Sequence, residues 1–306
     1  MFTQPMTASP RPPSSSHRPA FISRLLAFIS RRSPRALDRF GYVAYYVVFR
    51  LIRWRRRLAA ENLANAFPEK MSTERDEILA QSYRNLGRFL GEALWGWGAT
   101  ESELASRVRY VNPEMIDRFT LNGQSIVLLA AHFCNWEWLL LTAGKVLKVP
   151  IDAVYKPQRL EGIDTFLRDA RARFGGNPIP HQSFMFEVMK RRREVRAYAL
   201  VADHTPKHDE EKHWTLFLNQ DTAFFVGADK IAKILKAPVI YVSMRREAPG
   251  RYTVELELLA EPPYDRNSGP EIVERYARKL EAEIRRSPAD WLWIHRKWKY
   301  RKPLYA

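Results

Sequence analysis

Cysteine is almost absent. The 306-residue chain carries one, Cys134, which excludes an intramolecular disulfide and any multi-cysteine zinc or iron-sulfur site, and suits a reducing compartment. Acidic residues are scarce as well: 34 Asp and Glu against 50 Lys and Arg leave a net charge of +16. Such a molecule is drawn to polyanions, whether nucleic acid, anionic lipid or an acidic carrier protein. With only 13 Gly, 20 Pro and no internal repeat, against 46% hydrophobic residues, the chain is neither collagen-like nor wholly disordered. A spanning helix needs about 20 mostly apolar residues, and the run Phe40 to Phe49 is half that. There is no G-x-S-x-G elbow and no G-x-x-x-x-G-K-[ST] loop, and GWGATE (Gly96 to Glu101) lacks the last glycine of a dinucleotide fingerprint. At roughly 150 residues per domain the length fits two domains, or one large domain with a terminal extension.

What is present changes along the chain. Residues 1–20, with Pro10, Pro12, Pro13, Pro19 and three consecutive serines, cannot bury apolar surface and read as a loose tail. No acid precedes Asp38, and ten arginines fall between Phe21 and Arg57. An Arg-rich, Ser-rich, acid-poor start is also what a transit peptide looks like. From Phe40 to Trp54, however, every residue except Gly41, Arg50 and Arg53 is hydrophobic, and Arg55 to Arg57 follow. Residues 21–57 therefore read as an amphipathic membrane-attachment segment that dips into one leaflet, with tyrosines and Trp54 near the headgroups. The bland alternative is a core helix capped by surface arginines.

Residues 58–306 carry the main domain. Helices are expected over Leu58 to Ala66 and Ser72 to Trp97. After Gly123 short apolar runs begin: Ser125 to Ala131, Ile151 to Tyr155, Ala197 to Ala202 and Pro238 to Met244 read as buried strands, and Tyr252 to Leu259 as an alternating edge strand. Helical stretches separate most of them (Trp136 to Leu147, Gly162 to Phe174, Phe184 to Arg193, Val226 to Lys236), and Glu271 to Arg286 follows. The pattern predicts an α/β fold with a mostly parallel central sheet covered by helices. In such sheets ligands sit beyond the carboxyl ends of the strands, and three strands here run into polar residues there: His132, Lys156, and Asp203 with His204.

His132 and Glu137 form H-x-x-x-x-E in HFCNWE. Seven histidines and an acid frequency of 34 in 306 give about 0.8 such matches by chance, and His204 to Asp209 is another. Context separates them, because the first follows an apolar strand and opens an apolar helix. Five residues along an α-helix turn through about 500°, leaving two helical side chains some 140° apart, so His132 belongs in the turn, Asn135 at the N-cap and Glu137 in the first helical turn. There the carboxylate can fix the tautomer of the imidazole and leave its other nitrogen to take a proton from a hydroxyl; the competing reading is a structural histidine at a strand end. Cys134, two residues from His132, offers a rival nucleophile, although a lone cysteine there is more often a small buried hydrophobe. Basic clusters follow the second strand (Arg168, Arg171, Arg173), occupy Lys190 to Arg193, which reads as a solvated face, and end the chain in WLWIHRKWKYRK (Trp291 to Lys302). That last run interleaves aromatic and basic residues as nucleic-acid stacking platforms and membrane interfaces do.

The chain resembles the lipid A secondary acyltransferases, the lauroyl and myristoyl transferases within the glycerolipid acyltransferase superfamily. The resemblance spans about Leu58 to Pro303 and rests on ENLANAFPE (Glu61 to Glu69), AAHFCNWE (Ala130 to Glu137), VYKP (Val154 to Pro157), ARARFG (Ala170 to Gly175), VADH (Val201 to His204) and WLWIHRKWK (Trp291 to Lys299). It implies transfer of a fatty acyl chain from acyl carrier protein to a hydroxyl of the Kdo-bearing lipid A precursor at the cytoplasmic face of a Gram-negative inner membrane. Neither metal nor cofactor takes part in what it implies, and the partners are the carrier protein, an anionic glycolipid and membrane lipid rather than nucleic acid. His132 would be the general base and Glu137 its orienter. Arg171, Arg173 or backbone N–H groups would meet the developing oxyanion, while Asn135, Lys156, Asp203, His204, His295 and Arg296 would contact substrate. The family often begins with a more continuous hydrophobic anchor than the arginine-broken segment here. An acyltransferase for another glycolipid or a lysophospholipid, a thiol hydrolase using Cys134, and a basic nucleic-acid-binding module are the alternatives.

Overall fold

The computed structural model describes residues 17–265, 269–300 and 302, with side chains from Phe21 onward. Of the tail expected over residues 1–20, residues 1–16 lie outside the described residues, and His17 opens the first helix. Helices α1 (His17–Ser30) and α2 (Pro34–Tyr45) come first, α2 running on through a π-helical stretch, Tyr46–Leu51. Ser33 caps α2 by accepting from the Ala36 N–H at 3.3 Å, ahead of a proline pre-set for the first turn. The chain then reverses through Arg53 and Arg55, both at positive φ, into α3 (Arg56–Ala66) and the long α4 (Ser72–Gly98).

Leu37, Gly41, Tyr45 and Phe49, four apart, are the buried face of this amino-terminal arm. They lie against α4, where Gly87 faces Gly41 and Gly91 faces the Leu37 carbonyl with no room for a Cβ. Phe49 packs on Tyr83, ring centroids 4.7 Å apart. The other face is apolar and bare: Phe40, Tyr42, Val43 and Tyr46 are 49–68% exposed, and Leu51, Ile52 and Trp54 continue it. Among the described residues no helix is long and apolar enough to cross a membrane.

Beyond α5 (Glu101–Ala105) the chain alternates: β1 (Val108–Tyr110), α6 (Asp117–Thr120), β2 (Ile126–Ala130), α7 (Trp136–Val146), β3 (Ile151–Tyr155), α8 (Glu161–Ala172), β4 (Gly176–Pro180), α9 (Phe184–Lys190) and β5 (Ala197–Val201). A hairpin, β6 (Lys212–Phe217) and β7 (Gln220–Phe225), precedes α10 (Gly227–Leu235), β8 (Val239–Ala248), β9 (Arg251–Ala260) and α11 (Glu271–Arg286). The main sheet runs β1-β9-β8-β2-β5-β3-β4, and every adjacent pair is parallel except β8 with β9. The central strand β2 is buried at all five positions, as a parallel strand covered on both faces must be.

The fold is thus the expected α/β arrangement with four differences. The strand expected at the edge, β9, is interior by one place, because β1 pairs outside it through Val108, Arg109 and Tyr110. The opposite edge is β4, which was not among the expected strands; Pro178 and Pro180 suit an edge, where a missing N–H costs no ladder bond. The β6–β7 hairpin was likewise unexpected, its turn made by Leu218 and Asn219 at φ 50° and 63°. The helix expected over Phe184 to Arg193 stops at Lys190.

Candidate functional site

The site is built on the carboxyl ends of β2 and β5. These strands are parallel neighbours in register, Ala130 opposite Val201, so residues two places beyond each end, His132 and Asp203, arrive side by side. Past β2 the chain turns sharply. The Phe133 N–H donates to the Ala131 carbonyl at 2.8 Å, Cys134 adopts φ 52°, and its N–H reaches the Asp290 carbonyl at 3.0 Å. Phe133 also bridges to Trp291, which ties the turn to the carboxyl-terminal segment. Asn135 then caps α7, its Oδ1 accepting from the Trp138 N–H at 3.1 Å.

His132 Nδ1 donates to Asp203 Oδ1 at 2.7 Å, and the His132 backbone N–H donates to Oδ2 at 3.1 Å. Trp291 Nε1 donates to the same Oδ2 at 2.9 Å. Asp203 is 2% exposed. Burial opposes its ionisation, yet the His132 imidazole, by charge and by hydrogen bond, outweighs that and holds the carboxyl far below the usual carboxylate range. The arrangement fixes the His132 tautomer and leaves Nε2 without a protein hydrogen bond among the described residues, while the side chain keeps 17% of its area exposed.

Two further histidines stack on this ring. His204 lies parallel to His132, centroids 3.9 Å apart and planes 9° apart, and His295 lies parallel to His204 at 4.2 Å and 7°. Trp136 meets the His132 ring edge-on at 5.0 Å, and Phe89 backs Trp136 at 3.9 Å. Burial first, then the neighbouring charge of His132, pushes His204 down to about 3. Burial likewise takes His295 down to about 4. Beneath the stack Lys297 is 2% exposed, its Nζ donating to the carbonyls of Ala223 (3.1 Å) and His204 (3.3 Å) and lying 3.8 Å from the Phe224 ring centroid. Burial brings that amine down to about 7.

Glu137 does not reach His132. Its carboxylate, 6% exposed, accepts from Arg171 Nη2 at 2.5 Å and Nε at 3.0 Å, and from Trp97 Nε1 at 3.3 Å. The orienter expected from sequence is thus corrected: Asp203, from a neighbouring strand, stands where Glu137 was expected, and Glu137 ties the first turn of α7 to the last turn of α8. Burial opposes the Arg171 charge, and Glu137 more than compensates, holding the guanidinium above its ordinary value. With Nε and Nη2 committed in this way, Arg171 is a structural partner rather than the oxyanion donor it was read as. Arg173 donates through Nη1 to the Trp97 carbonyl at 2.6 Å.

Other expected contacts divide. Asn135 is wholly buried, with Nδ2 donating to Glu92 at 3.0 Å, so it shapes the turn and is closed to substrate. Lys156 lies exposed in an open cleft with Gln158 and Arg159, at the carboxyl end of β3. Arg296 is exposed beside the stack. The carboxyl-terminal run is not the surface patch its composition suggested, since Trp291, Trp293 and Lys297 are buried; a platform for nucleic-acid bases needs exposed aromatic faces. Cys134 is 3% exposed, and burial pushes its thiol well up, which removes the thiolate a hydrolase would use. Among the described residues no cluster of three His, Cys, Asp or Glu side chains is placed to hold a metal ion.

Trp291 as a partner of Asp203, and Lys297 as a buried cation, escaped the sequence reading. The signal for both was the alternation W-x-W and W-x-W-I-H-R-K, apolar residues recurring at the spacing of a chain threaded through the interior. Next to the site a narrow cleft opens between α4 and residues 291–294, lined by Leu86, Phe89, Trp136, Leu292 and Ile294 together with polar groups of Ser82 and Asn85.

A family profile described as bacterial lipid A biosynthesis acyltransferase matches residues 21–300. Among curated proteins the chain is 23% identical over 262 residues to a lipid A biosynthesis palmitoleoyltransferase of Escherichia coli, covering 82% of this chain and 80% of that one. It is 22% identical over 253 residues to a lipid A biosynthesis acyltransferase of Haemophilus influenzae, covering 81% and 78%. Among solved structures, the 1-acyl-sn-glycerophosphate acyltransferase of Thermotoga maritima aligns with a TM-score of 0.38 at 13% identity, over 89% of this chain and 96% of that one. With the profile spanning nearly the whole chain and its His-x-x-x-x-Glu stretch lying inside the match, the chain belongs to the bacterial lipid A biosynthesis acyltransferase family.

Proposed function

We propose that the protein transfers a fatty acyl chain from the thioester of acyl carrier protein to a hydroxyl of the Kdo-bearing lipid A precursor, at the cytoplasmic face of a Gram-negative inner membrane. The observation that carries this reading is the His132–Asp203 pair, with Nδ1 committed at 2.7 Å and Nε2 left to accept a proton. His132 removes the acceptor's hydroxyl proton, and the alkoxide oxygen bonds to the thioester carbon. The tetrahedral intermediate then collapses, breaking the carbon–sulfur bond, and the departing thiolate takes the proton back from the imidazolium. With Arg171 and Arg173 engaged elsewhere, the oxyanion falls to the amino end of α7, where N–H groups ahead of Trp138 have no helical acceptor. Substrate contacts are left to Lys156 and Arg296, which are exposed at the rim. The thioester is already activated, so the reaction calls for neither metal nor cofactor.

The net charge of +16 suits both an acidic carrier and a glycolipid bearing phosphates and sugar carboxylates. The bare apolar face of α2, flanked by arginines, suits attachment to anionic lipid.

The test is Asp203→Asn, assayed by ester formation in detergent micelles with the precursor and acyl carrier thioester. All three partners of Asp203 are donors, so the amide must turn its NH2 toward one of them. Keeping its oxygen on the two donors at Oδ2 aims the NH2 at Nδ1 and moves the imidazole proton to Nε2, the wrong tautomer for a base. The expected loss is about 10³–10⁴-fold in kcat with KM little changed, while Cys134→Ala keeps most activity. A fully active Asp203→Asn or His132→Ala sinks the mechanism. Mass spectrometry of lipid A from cells with and without the protein identifies the chain transferred, and an unchanged lipid A alongside an altered phospholipid profile would move the acceptor to a lysophospholipid.

A further inference from the structure

The three imidazoles come from three separate places, the turn after β2, the loop after β5 and the carboxyl-terminal segment, yet they form one column: His132 on His204 at 3.9 Å and 9°, His204 on His295 at 4.2 Å and 7°. Nothing in the reaction as derived uses this column. Both contacts are parallel stacks, so each ring presents a face to its neighbour.

At neutral pH His204 and His295 are uncharged, each pushed down mainly by burial, so each offers its neighbour a neutral π face. Were either protonated, it would repel the imidazolium that His132 becomes. Among the described residues the Nε2 of His204 is buried and has no hydrogen-bond partner. What His204 presents is therefore its face. Its backbone is held by Lys297, whose Nζ donates to the His204 carbonyl, and Lys297 is itself seated on Phe224. The charged and titratable groups bearing on the column are Asp203 from the end of β5, and His295, Lys297 and Lys299 from the carboxyl-terminal segment.

We propose that the neutral ring of His204, backed by His295, positions the His132 imidazole and stabilises the imidazolium it becomes, making His204 a positioning residue of the reaction and not a substrate contact. The proposal rests on the reading of His132 as the general base of acyl transfer. Asp203 fixes the His132 ring within its own plane; the parallel stack with His204 and the edge-on contact with Trp136 fix the tilt of that plane. Together they aim Nε2. When the proton arrives, the positive ring lies against a neutral aromatic face out of bulk water, the setting in which a cation–π contact is strongest.

The experiment uses the full chain, labelled with 13C-histidine, in detergent micelles, with the His132 resonance assigned by its loss in His132→Gln. In His204→Leu the His132 ring titrates about one pH unit lower than in the unmodified protein, a tenfold change of the size a buried cation–π contact supplies. The kcat of acyl transfer falls about tenfold with it, while KM stays within about a factor of two. His204→Phe, which keeps the face and loses both nitrogens, retains the titration and most of the rate. If His204→Leu does not fold, His204→Asn, polar but without a ring face, takes its place. An unmoved titration in the ringless variant overturns the proposal. So does a Phe variant as impaired as the Leu variant, or a rise in KM in both with the titration unchanged, which would return His204 to substrate binding. The titration needs no turnover: if the unmodified protein forms no ester while the shift appears as expected, the acyl-transfer reading falls and the stacked device stands.

Discussion

The buried pair of Glu137 and Arg171 distinguishes two roles for the acid of the His-x-x-x-x-Glu stretch. Their side chains are 6% and 16% exposed, joined by two hydrogen bonds of 2.5 and 3.0 Å with a third donor, Trp97, at 3.3 Å. Glu137→Leu leaves a guanidinium buried without its counter-charge, and breaking such a pair from one side costs about 3–5 kcal/mol. It also frees the first turn of α7 from α8, three residues from the turn at Cys134 that follows His132. A displacement there of about 1 Å is enough for a loss near a hundredfold in rate. The double substitution Glu137→Leu with Arg171→Met removes both charges and refills the space with apolar atoms, which is often neutral or stabilising for a buried pair. If Glu137 serves only to tie α7 to α8, the double variant recovers thermal stability to within about 1 kcal/mol of the unmodified protein, and its rate returns to within about tenfold. Thermal melts and ester formation on the same preparations decide it. A double variant that melts like the unmodified protein yet stays as inactive as Glu137→Leu would show the carboxylate acting on His132 after all.

Acidification should unfold the protein through its histidine column. His204 and His295 titrate lower in the folded state, at about 3 and about 4, than their ordinary 6.5. The unfolded chain therefore binds more protons between those values, and their stability contribution, complete above pH 6.5, is lost as the pH falls from there toward 4. At ~1.4 kcal/mol per unit the loss is on the order of several kcal/mol, against a total of about 5–15. Replacing both rings with phenylalanine should move the acid midpoint, followed by circular dichroism, to lower pH, and a midpoint that stays put would refute the assignment. On the amino-terminal arm, Tyr42→Ser with Val43→Ser, at positions 68% and 57% exposed, should weaken binding to anionic vesicles at least about tenfold without changing the melting temperature; equal binding in a sedimentation assay would place the attachment elsewhere.

Much of the frame was legible because it rests on local signals. β2, β3, β5 and β8 announce themselves as short apolar runs, and the helices between them as periodic stretches with recognisable caps. β1 and β4 did not: Val-Arg-Tyr is too short to carry a period, and Gly-Asn-Pro-Ile-Pro is dominated by turn formers that an edge strand tolerates and a central one does not.

The site shows the same division more sharply. His132 could be placed in the turn after a strand by angular arithmetic alone, but its partner could not, because the search ran along the chain to an acid five residues on. In a parallel sheet the nearest neighbours of a strand end are the ends of adjacent strands, 71 residues away in this case, and which strands are adjacent is a property of the topology. β2 lies between β5 and β8, so the residue that meets His132 is whichever polar group stands two places beyond β5. VADH already contained it. Reading it required the order of the strands, and the polar residues directly after the apolar runs of β2 and β5 were the trace of that order in the sequence.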